Sequence, residues 1–129
     1  MQTFTTHQIK GKGRGTLLGF PTINLAPFKG VTLKGGVYAA RVSIDSRQYI
    51  GALHYGPIPT FGEKSVSLEV FLLDARSEDL KGMDLSKITI IPIKKIRDIK
   101  QFSTKNSLVN QIKKDTQIVR TTISQKLRK

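Results

Sequence analysis

The run Val37-Tyr38-Ala39-Ala40-Arg41-Val42-Ser43-Ile44-Asp45-Ser46-Arg47 alternates as a half-buried strand does and then ends in turn chemistry. Tyr38, Ala40, Val42 and Ile44 fall on one side of an extended chain, because successive strand side chains point to opposite faces. Asp45-Ser46-Arg47 reads as the hairpin turn, and Tyr49 to Tyr55 as the returning strand. Further along, Gly56-Pro57-Ile58-Pro59-Thr60-Phe61-Gly62 cannot continue a central strand, since two prolines remove two ladder donors. Val66 to Asp74 is a second clear strand: Val66, Leu68, Val70 and Leu72 share one face, and Ser67, Glu69, Phe71 and Leu73 the other. Lys87 to Ile96 is a third, in which Pro92 implies an edge or a bulge. Thr3 to Ile9 is a weaker candidate. Ser103 is placed to cap a helix from about Thr104 to Thr122 or beyond, with an apolar stripe at Leu108, Ile112, Val119 and Ile123. Short strands between Gly/Pro turns, followed by one terminal helix, suggest an antiparallel barrel with a helix packed across it.

Bulk composition fits that reading. The 129 residues are read as one domain, with 38% hydrophobic residues and no cysteine for disulfide or thiolate chemistry. The segment from Met1 to Lys10 lacks the apolar run of a signal peptide and nothing approaches a membrane span, so a cytoplasmic protein without membrane partners is expected. The net charge of +13 raises nucleic acid as a partner. Lys94 to Lys129 holds eleven basic and two acidic residues, interleaved with the helix stripe. That pattern favours a solvated face that also attracts polyanions such as ATP over an RNA- or DNA-binding one.

Chemistry concentrates elsewhere, in Gly11-Lys12-Gly13-Arg14-Gly15-Thr16-Leu17-Leu18-Gly19-Phe20-Pro21-Thr22-Ile23-Asn24-Leu25. Glycines let backbone N–H groups approach an anion, and Lys12 and Arg14 add charge-assisted donors. Thr22 and Asn24 offer hard oxygen ligands of the kind Mg²⁺ accepts beside phosphate oxygens. The stretch is neither a Walker A loop nor a dinucleotide fingerprint. Phosphoryl transfer to a hydroxyl also needs a carboxylate to orient or deprotonate the nucleophile. Glu69, in the middle of an otherwise apolar strand, is the best candidate, the alternative being an outward residue paired with a lysine.

Ordered blocks along the chain carry a family resemblance. Gly13-Arg14-Gly15-x-x-Leu18-Gly19-Phe20-Pro21-Thr22-x-Asn24-Leu25 resembles the signature of riboflavin kinases, the barrel module that bacteria usually carry behind an FAD synthetase domain. Gly36-Val37-Tyr38-Ala39, Gly56-x-x-Pro59-Thr60-Phe61, Glu69-Val70-x-Leu72-Leu73 and Ile96-Arg97-Asp98-x-Lys100-x-Phe102 follow in the family's order, and then Leu108, Gln111, Ile112 and Asp115 of its helix. The resemblance implies a mainly β fold: a six-stranded antiparallel Greek-key β-barrel with a C-terminal α-helix packed on it. It implies transfer of the ATP γ-phosphate to the 5′-hydroxyl of riboflavin, giving FMN and ADP. Glu69 would be the catalytic base. Gly11, Gly13, Arg14, Gly15, Gly19, Pro21, Thr22 and Asn24 would bind the nucleotide, with Thr22 and Asn24 also on Mg²⁺, although Zn²⁺ or Mn²⁺ suit the same oxygen donors. Arg97, Phe102 and Leu108 would lie on the flavin side.

Besides Ile23 in place of alanine in the Pro-Thr-Ala-Asn tetrad, three departures from the family pattern matter. His54 stands where asparagine is usual, Phe71 where histidine often follows the catalytic Glu-Val, and Lys81 where tyrosine or phenylalanine is common. None removes a group that the reaction requires. Residues 1–129 are therefore read as a monomeric riboflavin kinase domain without an adenylyltransferase domain. The competing readings are a catalytically weak flavin-binding regulator that binds RNA through its basic helix, and a kinase for another polyol-bearing substrate.

Overall fold

The computed structural model describes residues 2–10, 20–27, 33–56 and 67–127. Among the described residues six strands, β1 (Phe4–Thr6), β2 (Thr22–Asn24), β3 (Gly36–Ile44), β4 (Arg47–Gly56), β5 (Ser67–Leu72) and β6 (Ile88–Arg97), precede one long helix, α1 (Lys105–Leu127). All pairings are antiparallel, in the order β1-β6-β3-β4-β5-β2. β3, β4 and β5 are successive neighbours and β6 returns beside β3, which is the Greek-key order. The sheet curls until its two edge strands approach, and a bridge joins Gln8 to Leu25. Ile9 N–H donates to the Asn24 carbonyl at 2.8 Å and Ala26 N–H to that of His7 at 2.9 Å, so backbone groups that would otherwise lie open at the edges are paired here.

The β3–β4 hairpin closes through two residues, Asp45 and Ser46, with φ of 50° and 64°. Two successive positive φ values give a turn whose twist matches the strands it joins, and Asp tolerates that region well. Arg47 already belongs to β4, opposite Ile44. Inward residues of the alternating strands, including Ile23, Tyr38, Ala40, Val42, Leu53, Val70, Leu72, Ile88 and Ile90, fill the barrel.

A second apolar cluster lies on the outer face, where Val37, Ala39, Ala52 and Leu73 meet Val119 and Ile123 of α1. Full burial of each large aliphatic side chain contributes roughly 1.5–3 kcal/mol, which holds the helix on the sheet. Arg120 also donates to the Leu73 carbonyl at 2.8 Å. The helix begins at Lys105, and its cap is Thr104 rather than Ser103: the Thr104 hydroxyl accepts from the Ser107 N–H at 3.0 Å.

β6 is an inner strand bearing two bulges, so Pro92 marks a bulge and not an edge. Its register against β3 shifts between Ala39 and Ala40, leaving Ile93 unmatched, and again between Val37 and Tyr38, leaving Ile96 unmatched. Thr22 to Asn24, near the end of the glycine-bearing stretch, form a strand that the sequence reading did not assign. The Pro21 carbonyl accepts from Leu72 N–H, and Leu25 N–H donates to the Leu68 carbonyl, extending the β2–β5 ladder at both ends. The strand expected over 66–74 ends at Leu72, past which Asp74 accepts from the Ile50 N–H through Oδ1 at 3.1 Å.

Candidate active site

Alternation along β5 sends Leu68, Val70 and Leu72 into the barrel and turns Glu69 and Phe71 outward, to the face that carries α1. Glu69 is only 5% exposed there. A carboxylate so enclosed is costly unless its surroundings serve it, and its neighbours are polar. Asn24 of β2 is directly opposite on one side and His54 of β4 on the other. Directly opposed residues in an antiparallel pair hold their Cβ atoms about 4.5–5.5 Å apart. Thr22 lies two residues from Asn24 on the same face, opposite Phe71 and diagonal to Glu69.

The Thr22 hydroxyl is the informative atom. Its Oγ1 is buried and, among the described residues, has no hydrogen-bond partner. A buried hydroxyl left unsatisfied costs about 1–3 kcal/mol, which a ligand would recover. Thr22 Oγ1, the Asn24 side-chain amide and the Glu69 carboxylate bring hard oxygen donors to one face, the set that suits Mg²⁺ or Mn²⁺ better than a soft metal. Among the described residues no three His, Cys, Asp or Glu side chains cluster as a self-sufficient metal cage. A cation held here would therefore share its coordination with substrate oxygens, as Mg²⁺ does in phosphoryl-transfer sites. The residues present fit such an ion.

Of the other sequence-derived candidates, Gly11, Gly13, Arg14, Gly15 and Gly19 lie outside the described residues. The flanks of that stretch are on view. Ile9 is tied to Asn24, Pro21 is buried against β5, and Phe20 packs into the outer cluster beneath α1. The described flanks of that stretch thus meet at the strand that carries Thr22 and Asn24.

Arg97 belongs to the same cross-sheet row as Glu69. Reading across the ladders, Asn24 faces Glu69, Glu69 faces His54, His54 faces Val37, and Val37 faces Arg97. The unmatched Ile96 just before it belongs to the bulge, and Arg97 turns toward α1. There its guanidinium meets Asp115: Nε donates to both carboxylate oxygens at 2.8 and 3.0 Å, and Nη2 donates to Oδ2 at 2.9 Å. Nη1 donates to the Asp98 carbonyl, and the Phe102 ring centroid lies 6.0 Å from the guanidinium. Leu108, on the first turns of α1, is buried. The structure therefore groups Thr22, Asn24 and Glu69 at one end of the row and Arg97 with Phe102 at the other. Asp115 was visible in the sequence as part of the helix pattern, but its pairing with Arg97 was not. The one available signal was the gap in the apolar stripe between Ile112 and Val119, which buried Asp115 and Thr116 fill.

Among the described residues no helix is long and apolar enough to cross a membrane. The riboflavin kinase (flavokinase) family pattern matches residues 2–123. An RNA-binding riboflavin kinase of Bacillus subtilis is 37% identical over 113 residues, covering 86% of this chain and 46% of that protein. Bifunctional riboflavin kinase/FMN adenylyltransferases are similar as well. That of Buchnera aphidicola (Schizaphis graminum) is 35% identical over 87% of this chain and 36% of its own length, and that of Escherichia coli K12 is 33% identical over 83% and 33%. The chain thus spans between a third and a half of the length of these curated relatives. A solved Streptococcus pneumoniae structure titled a macrolide-efflux protein superposes with a TM-score of 0.74 at 25% identity, over 92% of this chain and 38% of that one.

Proposed function

Because the chain belongs to the riboflavin kinase family, we propose that it transfers the γ-phosphate of ATP to the 5′-hydroxyl of riboflavin, releasing FMN and ADP. The observation that carries this reading is the convergence of Thr22, Asn24 and Glu69 on one face, with the Thr22 hydroxyl buried and unsatisfied among the described residues. Glu69 accepts the proton of the ribityl hydroxyl as that oxygen forms its bond to the γ-phosphorus, while the bond from phosphorus to the β,γ-bridging oxygen breaks and ADP leaves. Thr22 Oγ1 and the Asn24 amide hold a divalent cation, Mg²⁺ on donor chemistry, together with the nucleotide phosphates. Once bound, the ion supplies charge neutralisation on the phosphate oxygens. The glycine stretch with Arg14 covers the nucleotide, and Arg97 with Phe102 receives the flavin ring. Burial of Glu69 keeps bulk water from competing for the phosphoryl group.

The test is a chromatographic assay of the purified protein with riboflavin, ATP and Mg²⁺. FMN that appears only with the metal present supports the reading. A folded protein that binds flavin and yields no FMN sinks it.

A second reading adds RNA as a ligand. It is favoured by the name of the Bacillus subtilis relative and by the exposed Lys105, Lys113 and Lys114 on α1. An electrophoretic mobility shift that weakens steeply with salt would support it, and none at low salt would reject it.

A further inference from the structure

Asp115 carries the most buried charge on α1, its side chain 4% exposed, and the proposed phosphoryl-transfer chemistry makes no use of it. Its carboxylate takes three contacts from Arg97, at 2.8, 3.0 and 2.9 Å, and a fourth from Gln111 Nε2 at 3.0 Å one helical turn earlier. Arg97 is itself only 12% exposed. A purely structural staple does not call for an ion pair, since apolar replacements of similar volume hold buried elements together as well or better. What a bidentate carboxylate does supply is a fixed plane and direction for the guanidinium.

That direction matters because of what hangs from Arg97. Nη1 donates to the Asp98 carbonyl at 3.0 Å, Phe102 sits against the guanidinium, and Asp98 pairs with Lys95. Between them, Ile99 fits a notch formed by Gly35 and Gly56, where an added Cβ on Gly56 would meet the Ile99 side chain at 2.3 Å. The segment following β6 is therefore registered against the ends of β3 and β4 from one anchor on the helix. Arg97 stands three ladder steps from Glu69, roughly 14 Å at about 4.8 Å per strand. A tricyclic ring joined through a ribityl chain to the reacting hydroxyl spans a distance of that order. Of the five guanidinium N–H groups, Asp115 and Asp98 engage three. Among the described residues, one on each terminal nitrogen remains for carbonyl acceptors of the ring.

We propose that Asp115 is a positioning residue for flavin recognition: from α1 it fixes the Arg97 guanidinium, and through it the Asp98–Phe102 segment, in the geometry that receives the isoalloxazine ring. The proposal rests on the riboflavin kinase reading above. It assigns Asp115 no contact with substrate.

The test compares the full chain with Asp115→Asn and with the paired apolar variant Arg97→Met/Asp115→Leu, which removes both charges at once and so protects the fold. Circular dichroism and thermal unfolding report folding, flavin fluorescence reports riboflavin binding without ATP, and steady-state assays give KM for each substrate. The expected result is a rise of about tenfold or more in riboflavin Kd and KM in both variants, the loss of a charge-assisted contact, with KM for ATP within about twofold. If Asp115→Asn does not fold, Asp115→Glu decides, since it keeps Arg97 and the negative charge and shifts the carboxylate by one methylene: a raised riboflavin Kd supports the proposal, and an unchanged one overturns it. Riboflavin Kd and KM unchanged in a folded variant would overturn the proposal and leave the pair a structural staple. An unaltered chain that neither binds riboflavin nor makes FMN would overturn the kinase reading instead, and this inference with it.

Discussion

Asn24 stands directly opposite Glu69 in the β2–β5 ladder, so an amide and a carboxylate from distant parts of the chain share one face at the close spacing of a non-hydrogen-bonded pair. The pairing also fixes Thr22 beside them, since it lies two residues along the same short strand. Strand register, rather than a loop, sets the geometry of the candidate site.

Thr22 separates stability from function. Thr22→Val keeps the shape and deletes a buried hydroxyl with no partner among the described residues. Stability is expected to stay level or rise by up to about 1 kcal/mol, because an unsatisfied group has been removed. Metal-dependent binding of ATP should weaken in the same protein. Thermal unfolding and calorimetric titration check the two halves independently.

Glu69→Gln preserves volume and removes the proton acceptor. The turnover number is expected to fall by about 10²–10⁴, the usual range for a lost general base, with riboflavin binding retained. Single-turnover FMN formation measures this. A loss of less than about threefold would remove Glu69 from the mechanism.

Gly56 ends β4 at a φ of 130°, with Ile99 pressed against its open side. Gly56→Ala introduces a Cβ into both a strained backbone and an occupied notch. Destabilisation of about 1–3 kcal/mol is expected, visible as a lower midpoint in urea unfolding.

Lys95 and Asp98 titrate as partners at the surface. The hydrogen bond from Lys95 holds the Asp98 carboxyl below its usual value of 3.8, and the same bond raises Lys95 above 10.5. Asp98 therefore contributes stability above its unfolded pKa and loses it as pH falls through its lowered folded value. Lys95 contributes below its unfolded pKa and loses it as pH rises through its raised one. Between those limits the pair is intact. An NMR titration should find the Asp98 midpoint below 3.8, moving up toward that value in Lys95→Met.

Much of this architecture was legible in the residues. The alternation of Val37 to Ile44 and of Leu68 to Leu72 marked both the strands and their inward faces, because a two-residue period has one physical meaning at that length. Glu69 stood out as a carboxylate in an apolar strand. The β2 strand did not, since three residues after a proline carry no periodicity, and its existence depends on β5 offering a ladder. Thr104 replaced Ser103 as the helix cap because either hydroxyl serves, and adjacent caps differ only in where the backbone turns. The Arg97–Asp115 pair was hidden because its members belong to different elements, 18 residues apart.

The two unmatched residues of β6 set its phase. Each inserted residue inverts which side of the sheet all later side chains face, so the pair of bulges cancels: Ile90 points into the barrel opposite Val42, and Arg97 still emerges toward the helix opposite Val37. Lys94, which lies between the insertions, is out of step with the simple odd–even rule that holds on either side. Excising Ile93 or Ile96 alone would leave parity broken and drive the Arg97 guanidinium toward the apolar interior or force the strand to slip. Excising both would shorten the strand yet keep the parity. In β6, then, it is the evenness of the insertions, more than the identity of either residue, that keeps the arginine within reach of its carboxylate.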